Sequence, residues 1–292
     1  MSQSRRVAVP NAVAGAGLVL TGAVLIQLSA ALVKPVLGDI GPSAASSWRF
    51  LLGAIVLLCV ARPRLRSFTR HQWLGALALG ATIAFMNQCF YHALARIPLG
   101  GAVAIEYLGP LLVAALGKRT ARHLGFVVLA GLGVVALTRP GGGLTFAGVL
   151  FAAGAGLGWA SYMFAARRVG TTTEGLQGLA VSIAISAILT LPFSIASAHT
   201  LVDRPYVLGR IFIVSMLAIV LGFGVELQAL RRLRPSVVSV LLALDPAVAF
   251  VIGWLILSQG VTAWDGVGLA CIVAAGVGVT YDATSEEVAL AR

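Results

Sequence analysis

The sequence predicts an all-α membrane protein, with ten transmembrane helices in two inverted five-helix repeats. Three observations carry this expectation. Apolar residues make up 59% of the 292 positions and charged ones only 11%, with a mean hydropathy of +0.97. A soluble domain instead charges roughly a quarter of its residues to cover its surface. The apolar residues fall into blocks long enough to cross a bilayer, which takes about 20 residues per helix. And one stretch of the first half, 93–110, recurs in register as 229–246.

The blocks are read in order. Span 1 (12–33) ends at Lys34-Pro35; it lacks a small-residue cleavage site and reads as a span rather than a signal peptide. Span 2 (43–61) carries Arg49 and stops at Arg62-Pro63-Arg64. Span 3 (73–94) holds Asn87, Gln88, Tyr91 and His92, and stops at Arg96-Ile97-Pro98. Span 4 (99–117) contains Glu106 and Pro110, and span 5 (122–138) runs to Arg139-Pro140-Gly141. Span 6 (147–166) is dense in small residues, with Gly154 and Gly158 in G-x-x-x-G spacing before Trp159 and Tyr162. Span 7 (176–197) precedes Arg204-Pro205, and span 8 (208–229) has Glu226 close to its end. Span 9 (235–257) contains Asp245-Pro246, and span 10 (264–281) has Ala274, Gly276 and Gly278. Small faces let backbones approach where lipid gives no hydrophobic drive for association. They serve internal packing or a homodimer interface, with internal packing favoured. Long apolar runs without alternation exclude a β-barrel.

The net charge of +11 does not point to nucleic acid, because the basic residues sit between spans. With the N-terminus inside, the inner connections collect Arg62, Arg64, Arg66, Arg70, Arg167, Arg168, Arg231, Arg232 and Arg234 among others, while the outer ones keep only Lys34, Arg96, Arg139, Arg204 and Arg210. The positive-inside rule then places both termini in the cytoplasm. Dominance of Arg over Lys, with abundant Ala and Gly, suggests a GC-rich bacterial source and hence a cytoplasmic (inner) membrane. Cys59, Cys89 and Cys271 all lie inside apolar blocks without C-x-x-C spacing, so neither a disulfide framework nor a metal site is expected. No cofactor is expected either.

In the gapless match at offset 136, Ala93/Ala229, Leu94/Leu230, Arg96/Arg232, Leu108/Leu244 and Pro110/Pro246 are identical. An odd number of spans per half makes the second half enter the membrane from the opposite side. Such inverted repeats are common in transporters, with the solute bound near the midplane between them. The expected repeats cover 12–140 and 147–281.

A charge at the bilayer centre costs about 3 kcal/mol or more, so intramembrane ionisable residues are functional candidates. These are Arg49, Glu106, Glu226 and Asp245. Pro110 removes the hydrogen bond that the Glu106 carbonyl would accept, so span 4 should bend beside the carboxylate; Pro246 does the same for Leu242 in span 9. The two acids then occupy pseudo-equivalent faces of two kinked helices. They line a cavity, binding a cationic group or a coupling proton, or they fix packing by hydrogen bonding. Arg49 either snorkels to outer headgroups or clamps a carboxylate or phosphate. Glu226 reads most simply as an interfacial ion pair with Arg231 and Arg232. Asn87, Gln88, Tyr91, Trp159 and Tyr162 offer amides and aromatics for an amphipathic solute, or helix–helix hydrogen bonds. In span 1, Gln27 is the counterpart of Trp159. Enzyme motifs of the G-x-S-x or H-E-x-x-H kind are absent, so no catalytic residues are expected.

The stretches Phe90-Tyr91-His92-Ala93-Leu94-Ala95-Arg96-Ile97-Pro98-Leu99-Gly100 and Ala104-Ile105-Glu106-Tyr107-Leu108-Gly109-Pro110-Leu111 make the chain recognisable, as do Leu241-Leu242-Ala243-Leu244-Asp245-Pro246-Ala247-Val248 and Trp48-Arg49-Phe50. The chain resembles EamA-type proteins of the drug/metabolite transporter superfamily, most of all their threonine/homoserine exporter branch. The resemblance implies ten helices in two five-helix repeats, a central cavity and efflux of small metabolites such as amino acids. It leaves a drug or nucleobase exporter as the rival reading. The family commonly has Glu-Pro where this chain has Asp245-Pro246, and Gly-Glu where it has Ser258-Gln259-Gly260.

Overall fold

The computed structural model describes residues 9–116, 121–138, 143–173, 176–222, 225 and 241–290, and among them every regular element is helical. The helices are α1 (Val9–Val33), α2 (Val36–Ile40), α3 (Pro42–Ala61), α4 (Arg70–Leu94), α5 (Leu99–Leu116), α6 (Ala121–Thr138), α7 (Phe146–Thr172), α8 (Gln177–Asp203), α9 (Pro205–Ser215), α10 (Asp245–Leu257) and α11 (Ala263–Leu290). Each expected span meets a helix or, for the eighth and ninth, part of one. Most of 229–246, the second copy of the repeated stretch, lies outside the described residues, as does Glu226.

Local chemistry sets the helix ends. Gly41 takes φ +80°, a region open to glycine, and α3 starts directly on Pro42. The Thr69 hydroxyl accepts from the Gln72 amide while the Gln72 side chain accepts from the Thr69 amide, a capping box that starts α4. Thr145 accepts from the Gly148 amide to start α7. These caps explain why α4 begins ahead of its apolar block: the polar residues 70–72 belong to the capped first turn.

Three features were not legible as spans. The short α2 folds between the first two long helices. Beyond Ser215, α9 continues as a π-helical stretch, Met216–Gly222, a geometry rare enough to occur mostly near functional sites. And the ninth block breaks rather than bends. Pro110 stays inside α5, whereas the chain turns at Ala243–Leu244 and a new helix begins at Asp245 with Pro246 in its first turn. A proline there has no amide to leave unsatisfied.

Among the described residues, five segments are long and apolar enough to cross a bilayer: Pro42–Ala61, Arg70–Leu94, Phe146–Thr172, Gln177–Asp203 and Pro205–Gly222. Apolar stretches of 10–17 residues lie in α1 (Gly17–Val33), α5 (Leu99–Val113), α6 (Leu124–Leu137), α10 (Asp245–Leu257) and α11 (Ala263–Gly278). Their outer surface is apolar: along α6, Leu124, Val128, Leu132 and Val135 are all exposed in one stripe, a surface suited to lipid and not to water.

The helices pair α3 with α8 and α9, α4 with α7 and α8, α5 with α7 and α10, α6 with α11, and α1 with α9 and α10. Glycine makes the closest contacts. Gly154 meets Cys89, and Gly158 meets the Met86 backbone, so this spaced pair packs α7 on α4 within the chain. A Cβ on Gly109 would overlap the carbonyl of Gly156, so α5 and α7 touch main chain to main chain there. Gly133 and Gly268 do the same between α6 and α11. Between α3 and α8 the seam is polar: Ser47 bonds Ser194 and the Thr190 carbonyl, and the Trp48 indole donates to Ser197 at 3.0 Å.

Connections segregate to two ends. At one, the Lys34 ammonium donates to the Ile97 carbonyl (3.1 Å), Arg204 pairs with Asp39 (2.7 Å) and the Leu99 amide donates to Gln259 (3.1 Å). At the other, the Arg64 amide donates to Gln177 (3.3 Å) and the Gln72 amide to the Thr172 carbonyl. The first end is sealed by an apolar cluster that includes Val33, Val36, Leu94, Leu99, Val207 and Ile211.

Candidate functional site

Beneath that seal lies a cavity of about 110 Å³. By this measure a single water needs roughly 10–15 Å³, so the cavity holds several waters or a small solute. Its wall draws on α1, α3, α4, α5, α7, the π stretch and the break before α10. Six residues singled out from the sequence meet here: Arg49, Asn87, Glu106, Trp159, Tyr162 and Asp245. Sequence separation between them reaches from α3 to α10; only the fold joins them.

Arg49 is 7% exposed, so it does not snorkel. One guanidinium nitrogen donates to the Asn87 side-chain oxygen, and the Asn87 amide nitrogen donates to the Ile83 carbonyl at 3.0 Å, which fixes which way the Asn87 amide faces. The guanidinium carbon lies 5.0 Å from the Tyr91 ring centre and 5.5 Å from that of Phe50, within range for cation–π attraction. Its Nε has no hydrogen-bond partner among the described residues. Arg49 is thus gripped from two sides with donor capacity left over. The Ser215 hydroxyl donates to the Arg49 carbonyl at 2.9 Å, tying α3 to the start of the π stretch.

Glu106 (9% exposed) and Asp245 (7%) face the same space from α5 and from the first residue of α10. Glu106 interacts electrostatically with both Asp245 and Arg49. Glycine makes room for it: Gly156 of α7 lies against the Glu106 main chain, where any side chain would collide. Behind the acid, Tyr107 meets Trp159 edge to face with ring centres 5.9 Å apart, and the same ring fills the space beside Gly276. One cation and two carboxylates in a shared low-dielectric space interact far more strongly than they would in water. Such a wall suits a solute bearing both signs of charge.

Gln88 and Tyr91 are not in the wall. Gln88 donates to the Ser43 carbonyl at 3.3 Å and ties α4 to α3. Tyr91 is fully buried behind Arg49 and supports it. His92 bonds the Ser43 hydroxyl (2.9 Å), contacts Arg96 (3.2 Å) and stacks on Phe151. No cluster of three or more potential metal ligands occurs among the described residues. Pro110 follows Glu106 by one turn, and Pro246 adjoins Asp245. The wall also contains Gln27, Met86 and Phe90. Gln27 stands out in the sequence as the counterpart of Trp159 in the first span; Met86 and Phe90 look like any other apolar span residue.

The model of the EamA-like transporter family matches the chain twice, over residues 13–138 and 146–281. The threonine/homoserine exporter RhtA of Salmonella typhimurium (strain LT2) is 32% identical over 258 residues, covering 87% of each chain. The protein of that name from Escherichia coli (strain K12) is 30% identical over 272 residues, 92% of each chain. One solved crystal structure aligns over 94% of this chain and 99% of its own, with a TM-score of 0.62 and 19% identity, a likeness of fold.

Proposed function

The chain belongs to the EamA-like transporter family, and from that premise we propose that it exports a small amino acid of the threonine/homoserine kind by alternating access. A membrane transporter rather than an enzyme is the setting that family and relatives supply. The observation that carries the substrate reading is the cavity wall, where one guanidinium and two carboxylates face a single space. A zwitterion fits that arrangement. Arg49 receives its carboxylate, with Asn87 and Tyr91 holding the guanidinium in place. Glu106 and Asp245 receive the ammonium, or exchange it for a coupling proton. Trp159 and Tyr162 cover the apolar part of the solute.

Two inverted five-helix repeats, 12–140 and 147–281, belong to the same proposal, with α1, α3, α4, α5 and α6 in the first and α7 to α11 in the second. The double family match supports them. So does the pairing of helices: exchanging each helix of the first set for its counterpart turns α4–α7 into α9–α1, α5–α7 into α10–α1 and α4–α8 into α9–α3, all of which are made. The apolar seal at the end holding Lys34, Ile97 and Arg204 corresponds to a state closed toward the outside, on the orientation that the positive-inside rule favours. The membrane is then the bacterial inner membrane, with both termini in the cytoplasm.

Counterflow of labelled threonine into proteoliposomes, with and without a pH gradient, tests the reading. Saturable exchange is expected, together with loss of exchange in Arg49→Met. Absence of flux for every amino acid in a broad panel refutes the substrate. Glu106→Gln separates the two roles of the acids: surviving exchange with lost gradient-driven flux assigns the proton, and loss of both assigns the ammonium. Phe90, Trp159 and Tyr162 in the wall favour one rival, a drug or nucleobase exporter. An efflux-resistance screen with amino-acid analogues and toxic purines distinguishes it.

A further inference from the structure

We infer that Gln27 forms a separate subsite that recognises a hydroxyl on the solute's side chain, so that the transporter selects hydroxy amino acids over aliphatic ones of the same shape. The inference rests on the amino-acid reading above and adds a contact that the charged groups do not supply.

Gln27 projects from α1 into the cavity and is 4% exposed. Its neighbours on that helix face are Val19, Ala23, Ile26 and Ala30, all apolar. Its side-chain oxygen has no hydrogen-bond partner among the described residues. Buried amides are ordinarily paired, and leaving one unpaired carries a penalty that a correctly placed ligand group relieves. Among the described residues the Ser46 and Tyr91 hydroxyls are also without a partner, but neither residue belongs to the cavity wall. Gln27 is the wall residue among these neutral groups.

The chemistry of that group narrows the ligand. A carboxamide both donates and accepts, as a hydroxyl does, so either orientation of the amide completes a bond. Carrying no charge, Gln27 does not compete with Arg49 for the solute's carboxylate or with Glu106 and Asp245 for its ammonium. The wall thereby divides its tasks: charged groups grip what all amino acids share, and one amide reads what distinguishes them. Sites that hydrogen-bond a substrate hydroxyl reject the analogue lacking it far more strongly than apolar pockets reject an added methyl.

The test compares threonine with valine, in which a methyl replaces the hydroxyl, as competitors in counterflow into proteoliposomes holding the whole chain. In the unaltered protein valine is expected to compete at least about tenfold more weakly than threonine. In Gln27→Met, which keeps the length of the side chain and removes the amide, the preference is expected to fall toward one. Equal competition by valine in the unaltered protein overturns the proposal, and this arm needs no variant to fold. An equal fall for both solutes in Gln27→Met overturns it too, since it assigns Gln27 to packing. Exchange of neither solute by the unaltered protein removes the amino-acid reading and this inference together. Threonine exchange with an unchanged preference in the variant removes this inference alone.

Discussion

Removing the Asn87 carboxamide tests how Arg49 is held. In Asn87→Ala the guanidinium loses its hydrogen bond to a buried, well-oriented acceptor, while the Nε nitrogen already has no partner among the described residues. A hydrogen bond to a charged group contributes about 1.5–3 kcal/mol net. What remains is the stacking on Tyr91 at 5.0 Å, which adds up to about 2 kcal/mol where water is excluded. Arg49 should therefore stay near its place but lose its aim. The expected cost is about 1.5–3 kcal/mol, which is about 10- to 150-fold in the half-saturation of counterflow. A double-mutant cycle with Arg49→Met, read by thermal unfolding in detergent because Arg49→Met is expected to lose exchange, isolates the pair: the second substitution should cost little once the first is made. If the two substitutions add within about 0.5 kcal/mol, Asn87 does not hold Arg49 and the reasoning is wrong.

Other expectations follow from the packing. Gly109→Ala sets a methyl onto the Gly156 carbonyl; since backbone cannot rotate away, a loss of about 1–3 kcal/mol or more in stability is expected, seen as a lower unfolding temperature, and an unchanged one would show that α5 and α7 are not in contact there. Gln259→Leu deprives the Leu99 amide of its acceptor and should cost about 0.5–2 kcal/mol, as lost N-terminal helix caps do; Gln259→Glu keeps an acceptor next to the positive helix end and should not. Asp39→Asn weakens an exposed ion pair with Arg204, and thermal stability should not change measurably, because such pairs contribute little in water.

The helices were legible because bilayer-spanning blocks advertise themselves by length and composition, and caps such as Thr69 with Gln72 only moved their ends. The candidate site was legible in its charged members, since Arg49, Glu106 and Asp245 are conspicuous against apolar surroundings. Which neutral residues join them was not. Gln88 and Asn87 are adjacent in sequence, yet one turns toward Ser43 and the other toward Arg49. The rotation of α4 about its axis decides between them, and that is set by α7 glycines packing on Met86 and Cys89, far along the chain. Pro246 illustrates the same limit: a proline announces a disturbance, but whether the helix bends or restarts depends on the neighbours that take up the freed backbone groups.

The meeting of Gly109 and Gly156 has a mechanical consequence. Interlocked side chains act as teeth, and two helices joined by them turn only by lifting one set past the other. Where main chain rests on main chain there are no teeth, so the contact behaves as a bearing that permits rotation while keeping the separation fixed. It sits three residues from Glu106, so a rotation about this contact would move that acid little. A carboxylate mounted near such a pivot sweeps a short arc while the far ends of α5 and α7 sweep long ones, so under the proposed function the helix ends travel while the acid that receives the solute stays almost still.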